Sequence, residues 1–192
     1  MAELAIKPMT LDEFLAWDDG TDTRYELIGG FPVAMAPPAR AHGILCARLA
    51  GMIDVVLRSR RPCTVQSEAG IARSDRNDSC YIADLAVTCR PYQRGEQLVQ
   101  DPLLIVEVLS PGTERHDRRT KVPAYREIDS VQEILLIDPE AAYGEVFRRK
   151  GDAWFIEIVR GRDADLYLSS LELRLPMAEL YEGIELEPDT AS

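Results

Sequence analysis

The sequence predicts an α/β or α+β fold, in which a long helix from the N-terminal half packs on a mixed central sheet and a C-terminal β-hairpin follows. Apolar residues recur at helical spacing over residues 41–58, which indicates an amphipathic helix. Short apolar, strand-like runs dominate after Thr64. Because helical and strand-like segments interleave, we expect one sheet with helices that cover it.

The first elements should be a short helix and a hairpin. Thr10 and Glu13 have the spacing of a capping box, which predicts a helix that ends near Trp17. Residues 24–28 and 31–36 are strand candidates, and Gly29-Gly30 between them is typical of a hairpin turn.

The later elements are mostly strands. The apolar runs predict strands over residues 64–72, 81–88, 103–109 and 133–137. Residues 145–149 and 154–159 should form the C-terminal hairpin. Charged residues at helical spacing predict a helix over residues 115–127, although Pro123 should kink it or delay its regular part.

Length and composition suit one globular domain. The 192 residues can bury a full core, and 46% hydrophobic with 29% charged residues is ordinary for such a chain. We expect a single domain over 1–192, with a core at about 10–181 and an acidic tail at about 182–192. No apolar run approaches the about 20 residues that span a bilayer, and the N-terminus lacks the pattern of a signal peptide. These features predict a cytoplasmic protein without membrane contact.

The cysteines show no metal-binding or redox motif. None of them has C-x-x-C spacing, so neither a zinc ribbon nor a redox pair is indicated. In a reducing compartment they should all be free thiols. The four are Cys46, Cys63, Cys80 and Cys89.

The charge balance leaves nucleic-acid binding open. A net charge of −11 opposes contact with phosphates. Basic residues nevertheless cluster, so the local field can differ in sign from the average. Alternatively, both clusters are solvated helix faces. The first cluster is Arg58, Arg60 and Arg61, and the second is Arg115, Arg118, Arg119 and Lys121.

Asp84 and Glu107 are acids embedded in apolar, strand-like runs. Removing an ionised carboxylate from water costs several kcal/mol unless it is paired or binds a metal. The spacing suits neighbouring antiparallel strands, which would bring both acids to one end of the sheet and form a divalent-cation site. Alternatively, one acid pairs with an arginine and the other lies at an exposed strand end.

Other polar residues could complete such a site. Glu26 lies in mid-strand between apolar neighbours, although taken alone it is more typical of a surface-facing acid. After the Ser110-Pro111-Gly112-Thr113 segment, a spacing of four places Asp117, Lys121 and Tyr125 on one helix face. Alternatively, these three are a helical ion pair and a packed tyrosine. His42 could contact phosphate or water near the site, or could cap the long helix, and we assign His116 no function.

Several of these segments together resemble the Uma-two family of putative restriction endonucleases, which belongs to the PD-(D/E)XK nuclease superfamily. The resemblance covers about Thr10 to Tyr181. It implies a restriction-endonuclease-like fold with a mixed central sheet. The segments that carry it are Tyr25-Glu26-Leu27-Ile28, His42-Gly43, Ala83-Asp84, Glu107-Val108-Leu109-Ser110-Pro111 and the spaced Asp117, Lys121 and Tyr125.

The resemblance also implies roles for individual residues. Asp84 and Glu107 would be metal ligands, with the Val108 carbonyl as a third and Glu26 as an additional acid. The lysine that usually stands two residues after the second acid is replaced by Leu109, and the resemblance implies that Lys121 takes its place. Ala83 replaces the proline of the first half-motif, which affects backbone shape rather than chemistry. The secondary candidates are His42, Ser110, Asp117 and Tyr125.

These inferences predict a Mg²⁺-dependent endonuclease, with Mn²⁺ as a substitute ion, that acts on double-stranded DNA as a homodimer. A protein of another class remains open, namely a nuclease-fold binding or assembly module with little turnover. The acidic balance and the missing in-motif lysine favour that alternative. RNA is a weaker substrate candidate, because no aromatic-basic platform for single strands is present.

Overall fold

A six-stranded mixed sheet forms the centre of the molecule, of which the computed structural model describes residues 7–186. Its strand order is β3-β4-β5-β6-β7-β8, and every neighbouring pair is antiparallel except β5 and β6, which are parallel. The mixed sheet confirms the α+β prediction. The strands are β3 (Thr64–Ile71), β4 (Tyr81–Thr88), β5 (Pro102–Val108), β6 (Glu133–Ile137), β7 (Tyr143–Lys150) and β8 (Ala153–Arg160).

Two small sheets and several helices surround this sheet. The β1-β2 hairpin precedes it in the chain, and the β9-β10 pair follows it. The remaining elements are α1 (Leu11–Leu15), β1 (Tyr25–Ile28), β2 (Phe31–Ala34), α2 (Arg40–Leu57), α3 (Glu114–His116), a π-helical segment (Asp117–Lys121), α4 (Val122–Arg126), β9 (Asp165–Leu168), β10 (Leu173–Pro176) and α5 (Met177–Leu180).

Helix α2 confirms the amphipathic pattern in the sequence. Its fully buried residues recur every four positions and face one side of the sheet, where they meet Leu85 and Val106. Burying each such aliphatic side chain contributes about 1.5–3 kcal/mol. The residues of this stripe are Leu45, Leu49, Ile53 and Leu57.

A second apolar cluster covers the opposite face of the sheet. Tyr125 and Val122 of α4 pack there with Ile105 and Ile134. The central strands are therefore apolar on both faces, as their sequences indicate.

The helix after β5 begins as predicted but has an irregular middle. A π-helical segment joins α3 to α4 and ends just before Pro123. Proline has no backbone N–H, so it removes one intrahelical hydrogen bond at this point. Single π turns within α-helices frequently occur at functional sites.

Both predicted hairpins are present. Gly29 and Gly30 have φ values of 57° and 86°, which a two-residue hairpin turn with left-handed backbone requires. A Cβ atom at Gly30 would lie 2.8 Å from the Cβ of Pro8, so a side chain there would also clash. The C-terminal hairpin β7-β8 is longer than predicted at both ends.

The prediction of four free thiols is wrong for one pair, because Cys63 and Cys89 form a disulfide. Thr64 of β3 pairs with Thr88 of β4, so the two cysteines are the next pair beyond the ladder. A motif search for C-x-x-C spacing cannot detect such a cross-strand pair. Cys46 and Cys80 are free thiols, as predicted.

The two chain ends lie outside the described residues. They include the N-terminal stretch tested for a signal peptide and residues 187–192 of the predicted acidic tail. Within residues 7–186, none of the helices combines the length and the apolar content that a membrane span requires.

Candidate active site

Asp84 lies at the end of the β4-β5 ladder, where β5 presents its backbone. Leu85 pairs with Val106, so Asp84 and Glu107 occupy the next positions along the two strands. The Asp84 Oδ2 atom accepts a hydrogen bond from the Val108 backbone N–H at 2.7 Å. With a side chain that is 22% exposed, Asp84 remains accessible to solvent. The predicted approach of the two acids is therefore present in the backbone register.

Glu107 is almost completely buried beside Asp84. Its residue is 2% exposed, and its Oε1 accepts a hydrogen bond of 2.7 Å from the Tyr125 hydroxyl. Burial raises the pKa of Glu107 to about 8, and the neighbouring charges of Asp84 and Asp117 act in the same direction against Lys121. Glu107 is thus a carboxylate whose negative charge is poorly stabilised without a further cation.

Lys121 lies at the centre of the buried acids. Its Nζ is 2.9 Å from Glu26 Oε1 and 3.4 Å from Glu107 Oε1, and it donates to the Ile82 carbonyl at 2.9 Å. Burial alone would lower the pKa of Lys121, but these carboxylates raise it above its ordinary value. The lysine is therefore charged, although it is 5% exposed.

Glu26 faces inward, so its interpretation as a surface-facing strand acid is wrong. The residue is 5% exposed, and its Oε1 accepts the Ile82 N–H at 2.9 Å. His116 Nε2 lies 3.4 Å from Glu26 Oε2. No local pattern selects His116, because its contact with Glu26 depends on how the N-terminal hairpin docks.

The other members of the predicted helix face also converge on the site. Asp117 Oδ1 lies 3.5 Å from Lys121 Nζ, and burial raises the pKa of Asp117. Thr113 Oγ1 donates to Asp117 Oδ2 at 2.9 Å, and Ser110 Oγ lies 2.9 Å from Thr113 Oγ1. Ser110 thus reaches the acid cluster through Thr113, a residue without a predicted role.

His42 contacts Asp84 rather than capping α2. The N-cap of α2 is Ala39, and no side chain caps it. His42 Nε2 lies 3.2 Å from Asp84 Oδ2, and Cys46 Sγ lies 3.6 Å from His42 Nδ1. Burial opposes a proton on His42, but the hydrogen bond and charge of Asp84 outweigh it and raise the pKa of His42. The sequence analysis did not select Cys46. Its position four residues after His42, one helical turn away, could have indicated that the two side chains lie together.

The alternative in which an arginine neutralises one acid is wrong, because Asp84 pairs with His42 and Glu107 pairs with Lys121. Four acids (Glu26, Asp84, Glu107 and Asp117) have one buried lysine, Lys121, and the ring nitrogens of His42 and His116 as partners. Hard oxygen donors with excess negative charge are the ligands that Mg²⁺ and Mn²⁺ prefer. The raised pKa of Glu107 points to the same shortage of positive charge. The donor set therefore fits a divalent cation.

The basic clusters are only partly solvated. Arg60 lies 3.2 Å from Glu172, Arg118 lies 2.6 Å from Glu145, and Lys121 is buried, so none of these three is a free surface cation. Arg61, Arg115 and Arg119 are exposed.

Comparison with known proteins identifies a family and similar proteins. The model of the Uma2 family, described as putative restriction endonuclease, matches residues 11–189. Two uncharacterized proteins of Synechocystis are also similar. The protein slr1290 is 27% identical over 90% of this chain and 91% of its own length. The protein sll1609 is 24% identical over 90% of this chain and 99% of its own length.

A crystal structure of a putative nuclease of the DUF820 group from Anabaena variabilis has the same fold. The two structures superpose with a TM-score of 0.74 at 22% sequence identity, over 91% of this chain and 98% of that chain. This likeness confirms the predicted restriction-endonuclease-like fold.

Proposed function

Because the chain belongs to the Uma2 family of putative restriction endonucleases, we propose that it hydrolyses phosphodiester bonds in DNA with a bound divalent cation. The observation that carries the proposal is the adjacency of Asp84 and Glu107 on neighbouring strands, with Glu107 and Glu26 both in contact with Lys121. Buried titratable groups with shifted pKa values cluster at functional sites, and carboxylates are the side chains that most often bind Mg²⁺.

The ligands of the cation are Asp84, Glu107, the Val108 carbonyl and Glu26. The ion is Mg²⁺, for which Mn²⁺ substitutes. When bound, it supplies Lewis acidity that makes water a stronger nucleophile and offsets the charge on the phosphoryl oxygens.

Lys121 holds the acids in place and stabilises charge. Its Nζ donors are directed at Glu26, Ile82 and Glu107, which fixes the two carboxylates relative to β4. The ammonium group also opposes the negative charge that develops when water attacks the phosphate. Lys121 orients the attacking water when one of these three donors turns from its protein acceptor to the water.

The secondary residues support this arrangement. Tyr125 orients Glu107 through its hydroxyl, and Asp117 contacts Lys121 from the preceding turn. Ser110 orders the segment between β5 and α3 through Thr113. His42 orients Asp84 through their contact. In the proposed reaction His42 also contacts the phosphate or the attacking water.

The substrate is double-stranded DNA, which the exposed Arg115 and Arg119 can contact through phosphates. Since the chain as a whole is acidic, this basic surface near the site should dominate binding at low salt. Affinity should then fall steeply as the salt concentration rises.

A homodimer would allow both strands to be cut. Strand β8 is at the edge of the main sheet, and three of its apolar side chains are more than half exposed: Phe155, Ile156 and Ile158. An exposed apolar edge strand can pair with an identical strand across a two-fold axis. Sedimentation should give a dimer for the wild type and a monomer for Ile156→Lys, and a wild-type monomer at micromolar concentration would contradict this proposal.

Cleavage assays test the enzymatic proposal. Plasmid and oligonucleotide DNA should be cut only with Mg²⁺ or Mn²⁺, and Asp84→Asn and Glu107→Gln should each lose the activity. Glu133→Gln is a matched control, because Glu133 is also a buried acid but pairs with Arg148 at the start of β6. Cleavage that survives both active-site substitutions would overturn the proposal.

Calorimetric titration with Mg²⁺ or Mn²⁺ separates the enzyme from the alternative of a nuclease-fold binding module. An enzyme should bind the ion and cut DNA. Failure to bind either ion would instead favour the binding module, which the net charge of −11 and Leu109 at the motif position also favour.

A further inference from the structure

Three side chains beside the acid cluster form a group with a different chemistry. His42 and Cys46 are one turn apart on α2, and Asp84 faces them from β4. Each offers a ligand atom within 4.8 Å of the other two, and all three residues are partly buried. Residues 7–186 contain no other group of three or more such side chains that meets this criterion.

The donor types distinguish this group from the carboxylate site. Mg²⁺ binds oxygen almost exclusively, whereas imidazole and thiolate with one carboxylate suit Zn²⁺. Donors that are four residues apart on a helix project from the same face, so α2 presents the nitrogen and the sulfur together. The group also lies within a stable element, because four residues of α2 are completely or almost completely buried in the core.

The existing contacts must rearrange only locally. His42 contacts Cys46 through Nδ1 and Asp84 through Nε2, and one of these ring nitrogens has to turn to the ion. A metal–sulfur bond forms as the Cys46 thiol releases its proton to solvent. Three protein ligands leave the fourth tetrahedral position to water.

We propose that His42, Cys46 and Asp84 form a zinc site, and that zinc bound there inhibits DNA cleavage by engaging Asp84. The site itself depends only on the geometry of α2 and β4. The inhibition rests in addition on the proposed nuclease function, in which Asp84 holds the Mg²⁺ ion.

Cobalt substitution tests the site without reference to activity. Full-length wild-type protein, titrated anaerobically with Co²⁺, should bind one ion at the His42, Cys46 and Asp84 group. Binding there should produce a thiolate-to-cobalt charge-transfer band in the near ultraviolet. Zn²⁺ should displace the ion and remove the band. Cys46→Ser should lose the band and bind Zn²⁺ at least about ten-fold more weakly by calorimetry.

Cys80→Ser is the matched control, because Cys80 is the other free thiol and is buried away from His42. It should keep the band. If Cys46→Ser does not fold, His42→Ala provides a second test, because α2 tolerates alanine in its first turn. His42→Ala should also weaken Zn²⁺ binding at least about ten-fold. A wild type without the band, a band that persists in Cys46→Ser, or a Zn²⁺ affinity unchanged in His42→Ala would overturn the proposal.

Zinc inhibition tests the second part. Zn²⁺ added at the concentration that saturates the calorimetric site should stop Mg²⁺-dependent cleavage by the wild type. In Cys46→Ser, with the rate normalised to its own value without zinc, about ten-fold more Zn²⁺ should be needed. Equal sensitivity of the two proteins would refute the inhibition. If neither protein cuts DNA, the nuclease proposal and the inhibition fail together, and the cobalt titration decides the site on its own.

Discussion

The Nζ of Lys121 lies 2.9 Å from the Oε1 of Glu26, so a lysine of the π-helical segment and an acid of the N-terminal hairpin form a buried ion pair. Both side chains also bond to the backbone of Ile82: Lys121 donates to the Ile82 carbonyl, and Glu26 accepts from the Ile82 N–H. Strand β4 therefore sets the position of the pair.

Replacement of Lys121 by methionine should destabilise the protein strongly. It leaves Glu26, Glu107 and Asp117 without their shared cation, and breaking a buried pair from one side costs about 3–5 kcal/mol. Urea denaturation of the metal-free protein measures this loss. Lys150→Met, at an exposed lysine, should change stability by less than about 0.5 kcal/mol.

A double variant makes the Lys121 prediction specific. Glu26→Gln combined with Lys121→Met should be more stable than Lys121→Met alone, because one of the unpaired acids is then neutral. Strictly additive losses would show that the pair is not coupled.

Tyr125→Phe should lower both the stability of the protein and its affinity for the metal ion. The buried hydroxyl donates to Glu107, so its loss costs about 1–3 kcal/mol. Because the Tyr125 hydroxyl orients Glu107, a proposed metal ligand, its loss should also reduce Mn²⁺ affinity roughly 10–100-fold. Tyr181→Phe is the control, since Tyr181 is equally buried but donates to the Asp138 carbonyl. It should lose stability at unchanged Mn²⁺ affinity, and equal affinities of all three proteins would contradict the assignment of Glu107.

The disulfide should stabilise the fold measurably. It joins positions 26 residues apart, and closing a loop of that size contributes about 2–4 kcal/mol. Cys63→Ser with Cys89→Ser should lose that amount in urea denaturation. Alkylation of the denatured, unreduced protein should modify Cys46 and Cys80 alone, and modification of all four cysteines would show that the bond is absent.

The Arg118–Glu145 pair should give a pH-dependent contribution to stability. Burial disfavours the charge of Glu145, but hydrogen bonds from Arg118 and Tyr143 outweigh it and lower the pKa of Glu145 below its usual 4.5. The contribution is therefore complete above about pH 4.5 and is lost as the pH falls through the lower folded-state value.

Denaturation over a pH series measures this contribution. Glu145→Gln should be less stable than the wild type at neutral pH by roughly 1–2 kcal/mol, and the difference should shrink in acid. Asp165→Asn, at an exposed pair with Arg174, should show little effect at any pH. A Glu145→Gln difference that is independent of pH would contradict the assignment.

Much of this architecture follows from local sequence patterns. The stripe of α2 and the apolar runs of β4 and β5 predicted the sheet and its main helix, because burial imposes periodicity on a sequence. Asp84 of β4 and Glu107 of β5 could be selected because an acid is costly within an apolar run.

Other features depend on contacts that no local pattern encodes. The inward orientation of Glu26 and its contact with His116 follow from the docking of the β1-β2 hairpin. The Cys63–Cys89 bond follows from strand register. The group of His42, Cys46 and Asp84 joins a helix to a strand, so spacing along the sequence can indicate only its two helical members, His42 and Cys46.

The attachment of the N-terminal hairpin has a consequence for the completeness of the acid cluster. Paired backbone hydrogen bonds between Leu27 and Cys80, and a bond from the Gly30 N–H to the Asp78 carbonyl, join this hairpin to the segment just before β4. A two-stranded unit held at its margin can detach at lower free energy than the main sheet unfolds. Whenever it does, Glu26 leaves with it. The fraction of molecules with all four acids assembled is then set by the undocking equilibrium of a short ribbon, which amide exchange at Leu27 would report.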